Sequence, residues 1–258
     1  MDARREVGCA GCVAFARISA SCSADMWGCP ISMTWHEYHE ATKHSVESLR
    51  RARHSLDWSN IPDPFRHYEG VPVLDLPADP PAPEIPALDV LQGTLGSTSV
   101  GNGPAFLSQV LFYCAAISAT KRAPSSGYEY ALRVNPSSGN LHPTEFHFVT
   151  RGLKDWPDGL YHYDPSRHMA EQRGRGTFET RLASGPAPIV FVLTSIVWRE
   201  AWKYGERAFG TACTTLGTPG RRLHFPLGLP DAIPSRSEVS WTMKSPSCVT
   251  RTRMSGQC

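Results

Sequence analysis

The sequence predicts an α+β protein in which helices pack on a central, mostly antiparallel sheet. Three observations lead there. Phe106 to Ala119 reads FLSQVLFYCAAISA, nearly all apolar and long enough for a buried helix, but too short to span a bilayer. Three short segments, 145–149, 159–163 and 188–194, are rich in aromatic and β-branched residues and read as strands; the third is apolar enough to be buried on both faces. The order helix, helix, strand, strand, strand, helix is that of an α+β domain.

Taken in order, residues 1–32 are rich in Cys and Ser, show no period, and are expected to form a disordered extension ahead of Met33 as the natural start. Thr34 to about Ser55 is expected to be a helix, because Thr34 with Glu37 three residues later has the spacing of a capping box. Residues 56–75 read as loop, with Asp57-Trp58-Ser59-Asn60 and Pro62-Asp63-Pro64 as turn formers, and Pro77 to Pro86 as an extended connection. After the apolar helix, the turn Pro-Ser-Ser-Gly occurs twice, at 124–127 and 136–139, before the strands begin. Trp198 to Phe209 (WREAWKYGERAF) reads as the last helix. From residue 210 the character changes: five prolines, six basic residues against two acidic ones, many Ser and Thr, and no amphipathic period.

Composition excludes several classes of function. The 258 residues are 41% hydrophobic and 19% charged, so a sizeable core can form, and a net charge of +2 lacks the basic excess of a nucleic-acid binder. No run approaches the length of a membrane span. Of the eight cysteines, four lie in the first 29 residues and three after residue 210, with only Cys114 between, instead of spreading as a disulfide scaffold would, and the N-terminus lacks a signal-peptide pattern, so a cytoplasmic protein with reduced thiols is expected. No metal site is expected. Cys9-x-x-Cys12 is half a zinc knuckle, but Cys22 and Cys29 lack the tight spacing of the other half. His39-Glu40 is followed by Lys43 where a metalloprotease needs its second histidine, which leaves His36, His39 and His44 as a solvated face. Gly174-Arg175-Gly176 reads as an ordinary basic loop.

The informative segment runs from Arg133 to Glu145 (RVNPSSGNLHPTE). Small residues at 137–139 let backbone approach a flat ligand closely, with their N–H groups toward its acceptors. Asn140 offers a donor and an acceptor suited to an amide-like ring edge, and Arg133 a permanent cation for an anionic group. On chemistry alone, the same residues also suit a turn leading into a strand.

This segment and its surroundings resemble the nitroreductase-like flavoproteins, and within them the SagB-type branch that includes azoline dehydrogenases. Four stretches carry the resemblance over residues 33–209: Tyr38-His39-Glu40-x-Thr42-Lys43-His44, Arg133-x-x-Pro136-Ser137-Ser138-Gly139-Asn140-Leu141-His142-Pro143-x-Glu145, Gly159-Leu160-Tyr161-His162-Tyr163, and Trp198-Arg199-x-x-x-Lys203-Tyr204-Gly205-Glu206-Arg207-Ala208-Phe209. The likeness implies a sheet flanked by helices, FMN as bound cofactor, a homodimer, and hydride exchange at flavin N5 with NAD(P)H, a small molecule or a peptide. It also implies that Pro136, Ser137, Ser138, Gly139 and Asn140 line the flavin ring, and that Arg133 and Arg207 help to hold the cofactor. Lys203 and Tyr204 fall where azoline dehydrogenases place a catalytic Lys-Tyr pair; removing a proton as hydride leaves needs such a base.

The likeness stops after Phe209. Read one base out of frame, codons from Phe209 onward permit Arg-Tyr-Cys-Leu-His-Asp-x-Gly-His-Ala, close to the continuation of the family pattern, so residues 210–258 are expected to be a frameshifted tail and the domain C-terminally incomplete. Apolar faces such as 106–117 and 189–193 would then lose cover, each large side chain being worth about 1.5–3 kcal/mol, which predicts a poorly folded chain or weak flavin binding. The alternative to a working oxidoreductase is an inactive remnant, or a binding module that has lost the flavin site.

Overall fold

A computed structural model describes residues 13–15, 34–51, 54–82, 86, 88–89, 102–178 and 188–222. Two short helices, α1 (Trp35–Thr42) and α2 (Val46–Arg51), precede β2 (Val73–Asp75), and β1 is a three-residue strand, Val13–Phe15. Helix α3 (Pro104–Ala115) is followed by the hairpin β3 (Ile117–Arg122) and β4 (Glu129–Arg133). The strands β5 (Thr144–Thr150), β6 (Gly159–Asp164), β7 (Met169–Arg175) and β8 (Ile189–Ser195) follow, then α4 (Val197–Tyr204) and α5 (Ala208–Arg222).

The main sheet has the order β1-β8-β5-β6-β7-β2. All its pairings are antiparallel except the short β1–β8 contact. This is the α+β architecture that the sequence predicts. Strand periodicity gives the sheet two unlike faces. Phe146 and Phe148 on β5, Tyr161 and Tyr163 on β6, Ala170 on β7 and Ile189 and Phe191 on β8 form one apolar face against Leu107, Val110, Leu111 and Cys114 of α3. The register His147↔His162↔Glu171 puts polar residues on the other face.

The Thr34 capping box is present: the Thr34 hydroxyl accepts from the Glu37 N–H, and the Glu37 carboxylate accepts from the Thr34 N–H at 2.6 Å. The expected helix to Ser55 is instead broken between α1 and α2, where Lys43 leaves helical geometry (φ −61°, ψ 142°) and a Ser45–Ser48 turn restarts the chain. The apolar helix ends four residues early. Ile117 pairs with Arg133 instead, so strand pairing overrides an apolar pattern that continues unbroken. The first Pro-Ser-Ser-Gly turn is the tip of this hairpin, between β3 and β4. Gly174 and Arg175 lie in β7 rather than in a loop, and a side chain at Gly174 would run into the Phe178 ring at 2.5 Å.

The final helix also departs from the sequence reading. Trp198–Phe209 is two helices joined by a 3-10 turn, Gly205–Arg207, and the second continues to Arg222. Helix α5 packs against β8, β5 and α3. Leu107, Val110 and Leu111 are fully buried, and Ile189, Val190 and Phe191 nearly so, with α3 and the sheet covering each other. The expectations for the Cys9, Cys12, Cys22 and Cys29 cluster, and for the tail beyond residue 222, lie outside the described residues.

Candidate functional site

The segment 137–142 is locally strained and tied down on all sides. Gly139 (φ 59°), Asn140 (φ 61°) and His142 (φ 47°) all lie in the left-handed region, where non-glycine residues are uncommon. Such strain persists only where surrounding contacts over-determine it, and it concentrates at functional sites. The contacts are present here. The Asn140 amide donates to the Ala131 carbonyl at 3.0 Å, which turns its oxygen toward His142 Nε2 at 2.9 Å. The His142 N–H donates to Ser137 Oγ at 2.7 Å, and the His142 carbonyl accepts from Arg199 Nη1 at 2.6 Å.

Because Asn140 Oδ1 is an acceptor, His142 Nε2 carries the ring proton, and the buried Nδ1, without a hydrogen-bond partner among the described residues, is left bare. Burial, reinforced by the nearby Arg133 cation, pushes the His142 imidazole down to about 4.

Gly139 is the contact point with α4. A Cβ there would meet Tyr204 Oη at 2.8 Å and Lys203 Cδ and Nζ at 2.9 Å each. Only a residue without a side chain allows both groups to reach the loop. Lys203 Nζ also sits 5.8 Å from the centre of the Tyr204 ring. The structure thus joins Gly139 to the Lys203-Tyr204 pair, which begins 64 positions further along the chain.

Beside this contact lies a cavity of about 520 Å³ lined by Pro136, Ser137, Ser138 and Arg207, by Tyr38 and His39 of α1, and by the first turns of α5. The Tyr38 hydroxyl holds it together, donating to the Glu206 carbonyl at 2.8 Å and accepting from the Gly210 N–H at 3.1 Å. Arg207, at the end of the 3-10 turn, brings a cation to the space walled by Gly210, Thr211, Thr214 and Thr215 of the 15-residue α5. Thr211, Thr214 and Thr215 give their hydroxyl protons to carbonyls of their own helix, at 3.0, 2.9 and 2.8 Å, and so present lone pairs to the cavity.

Not every expected residue converges here. Arg133 is buried and turned inward: Nη2 donates to the Pro64 carbonyl at 2.6 Å, and the guanidinium lies 5.1 Å from the Phe65 ring centre. Burial lowers it to about 10. Asn140 spends its amide on the loop's own conformation and does not line the cavity. His39, read from the sequence as part of a solvated face, is exposed and also forms part of the cavity wall.

Behind the site runs a buried ionic ladder that sequence reading missed. Arg199 pairs with Glu145 at 2.5 Å, Glu145 with His162 Nε2 at 2.9 Å, His162 Nδ1 with Glu171 at 2.9 Å, and Glu171 with Arg167 at 2.9 Å. Cationic neighbours and the His162 hydrogen bond hold the Glu145 carboxyl below the usual range against the opposing effect of its burial. Arg199 thereby anchors α4 to both the sheet and the strained loop. At the outer end, His67, Asp164 and Glu171 bring ligand atoms within 4.8 Å of one another, but Arg167 already pairs with both carboxylates.

No family model matches the chain, and no curated protein matches it. Solved structures do. A protein of Anabaena variabilis assigned to the nitroreductases matches with 25% identity and a TM-score of 0.54 over 74% of this chain. The chain spans 37% of that protein's length. A second protein assigned to the nitroreductases, from Ralstonia eutropha, matches at 16% identity with a TM-score of 0.46, covering 60% of this chain and 71% of that one. The E. coli microcin synthetase complex with truncated pro-MccB17 bound matches at 16% identity with a TM-score of 0.35, covering 73% and 74%. The likeness to the Anabaena variabilis protein shows a nitroreductase-like fold. Among the described residues no helix is long and apolar enough to cross a membrane.

Proposed function

We propose that the chain is an FMN-dependent oxidoreductase of the nitroreductase kind, with the SagB-type, azoline-oxidising branch as its nearest chemistry. The observation that carries this reading is the contact of Gly139 with Lys203 and Tyr204 beside a cavity walled by Pro136, Ser137, Ser138 and Arg207. The donor set fits FMN. About 300–1,000 Å³ is the usual size of a cofactor or ligand pocket. The Arg207 cation suits a phosphate. The threonine lone pairs suit the hydroxyls of a sugar-alcohol chain, and the small residues at 137–139 suit close approach of a flat ring.

When bound, FMN supplies hydride exchange at N5. The rest is the work of the chain. Lys203 and Tyr204 take up or return the proton that accompanies hydride loss from a carbon, each being half-buried and held against the loop by Gly139. Arg199 keeps α4 in register with the loop through the His142 carbonyl. His142, kept neutral, avoids placing a further cation beside Arg133 and Arg199. NAD(P)H is the proposed electron source or sink, the substrate a small molecule or a peptide, the assembly a homodimer, and the compartment the cytoplasm. The test is titration of the purified chain with FMN, followed by flavin fluorescence and equilibrium dialysis. Saturation at one FMN per chain supports the reading. No saturable binding by a cooperatively melting chain overturns it, and leaves the fold without its cofactor.

A further inference from the structure

Asp164 and Glu171, at the outer end of the ladder, have wholly buried side chains and share one permanently charged partner, Arg167. Its Nε donates to Asp164 Oδ2 at 2.5 Å and its Nη2 to Glu171 Oε1 at 2.9 Å. A guanidinium thus bridges two buried anionic oxygens from a side chain that is itself 47% exposed. His67, 40% exposed, brings a ring nitrogen to the same point: Nδ1 lies 3.3 Å from Asp164 Oδ2 and 4.0 Å from Glu171 Oε1. Among the described residues, this is the one group of three such side chains whose ligand atoms all lie within 4.8 Å of one another.

Supporting bonds aim these atoms. Asp164 Oδ1 accepts from the Ser166 N–H at 2.9 Å and from its hydroxyl at 2.7 Å, which leaves Oδ2 for the shared point. Glu171 Oε2 stands 2.9 Å from His162 Nδ1, which leaves Oε1. The Tyr68 N–H, at 3.2 Å from Oε2 and 3.3 Å from Oε1, ties the peptide after His67 to the same carboxylate. Outer partners of this kind orient the ligands of metal centres. With bonds of about 2.0–2.2 Å, the ligand atoms of a tetrahedral site stand about 3.3–3.6 Å apart. His67 Nδ1 and Asp164 Oδ2 already have that spacing, and Glu171 Oε1 reaches it by moving less than about 1 Å toward His67. No motif in the sequence announces the group, because its members come from the connection before β2, the end of β6 and the middle of β7.

We propose that His67, Asp164 and Glu171 bind a divalent transition-metal ion, with Arg167 swung into solvent to admit it. One imidazole and two carboxylates suit Mn²⁺ or Zn²⁺, whereas Ca²⁺ takes about six to eight oxygens and Mg²⁺ prefers oxygen ligands. The ion brings two positive charges to the two carboxylates where Arg167 brings one. Three protein ligands leave a position for water. The site shares no residue with the cavity, and the proposal does not depend on the flavin.

The test is titration of the whole chain with Mn²⁺, followed by loss of the free-ion paramagnetic resonance signal. Mn²⁺ is used because cysteine sulfur is a poor ligand for it. The expected result is one Mn²⁺ per chain, displaced by Zn²⁺. His67→Ala should weaken binding at least about tenfold, since it removes a ligand. Arg167→Met should strengthen it by about tenfold or more, since it removes the competing cation and its two charge-assisted bonds. Tighter binding on loss of a neighbouring side chain is the outcome that a purely structural Arg167 would not give. No saturable Mn²⁺ binding by the wild type overturns the proposal, as does binding in Arg167→Met alone, which would make Arg167 the permanent cation of the group. Binding that His67→Ala leaves unchanged overturns it too, by placing the ion elsewhere. If Arg167→Met does not fold, the exposed His67→Ala variant decides.

Discussion

Replacing Gly139 by Ala tests the contact on which the site depends. Gly139 sits at φ 59°, ψ 14°. For an L residue with a Cβ, the left-handed conformation costs about 1–2 kcal/mol. The new methyl would also lie 2.8 Å from Tyr204 Oη and 2.9 Å from Lys203 Cδ and Nζ. Lys203 has a flexible chain and can swing aside; the Tyr204 hydroxyl is fixed to a ring and moves only with it. Overpacking of this sort costs about 1–3 kcal/mol. Together, a loss of about 2–5 kcal/mol is expected. Urea denaturation of wild type and Gly139→Ala measures it, with the same pair repeated in a Lys203→Ala background. In that background the lysine overlap is gone, and the cost should fall by about 1 kcal/mol while the backbone cost stays. A loss below about 0.5 kcal/mol in the single variant, the level of an ordinary surface change, would refute the argument.

Three further outcomes are expected. His162→Ala should cost about 3–5 kcal/mol, because it removes the imidazole that both buried carboxylates share and leaves Glu145, still paired with Arg199, and Glu171, still paired with Arg167, repelling each other across an empty space; chemical unfolding measures it, and a cost under about 1 kcal/mol would show that the ladder carries no weight. Acid should destabilise the fold before its carboxylates titrate. His142 and His147 are each pushed down to about 4, chiefly by burial, so below about pH 6.5 the unfolded chain binds protons that the folded chain refuses. The contribution of these two histidines is then full above about 6.5 and falls toward pH 4, by ~3 kcal/mol for the fully buried His142 alone; Glu200, whose carboxyl burial pushes up to about 7, offsets part of this loss, and urea midpoints that rise toward pH 4 would contradict the assignment. Arg207→Ala should raise the dissociation constant for FMN at least about tenfold, since a hydrogen bond to a charged group is worth about 1.5–3 kcal/mol, while leaving the melting temperature of the ligand-free chain nearly unchanged.

The elements with a strong local signal were legible in the sequence. Thr34 and Glu37 mark a helix start by side-chain chemistry alone, and β5, β6 and β8 show apolar and aromatic runs within one residue of their ends. Strand β7 was not legible, because Glu171 and Gln172 read as solvent-facing until the structure buries Glu171 against His162 and Arg167. A buried polar residue is recognisable only from its partner, and the partners here come from other strands. The α1–α2 break is set by hydrogen bonds of Ser45 and Ser48, residues that sequence patterning treats as tolerable within a helix. The site was half legible. Pro136, Ser137, Ser138 and Arg207 meet at one cavity, and Gly139 meets Lys203 and Tyr204 beside it. Arg133 could not be placed from composition, because whether a guanidinium faces a ligand or the Pro64 carbonyl is decided by the fold.

The cavity draws its walls from Tyr38 and from the helix that begins at Ala208, whose shared hydrogen bond closes a span of 172 residues. During synthesis, at about 5–20 residues per second, that interval takes roughly 10–35 seconds. For all of it the nascent polypeptide owns one wall of the cavity without the other. The cavity is thus not closed until translation has passed the Thr215 codon and α5 has emerged from the ribosome, and a chain stalled anywhere in the sheet would be able to build a core but would lack this cavity.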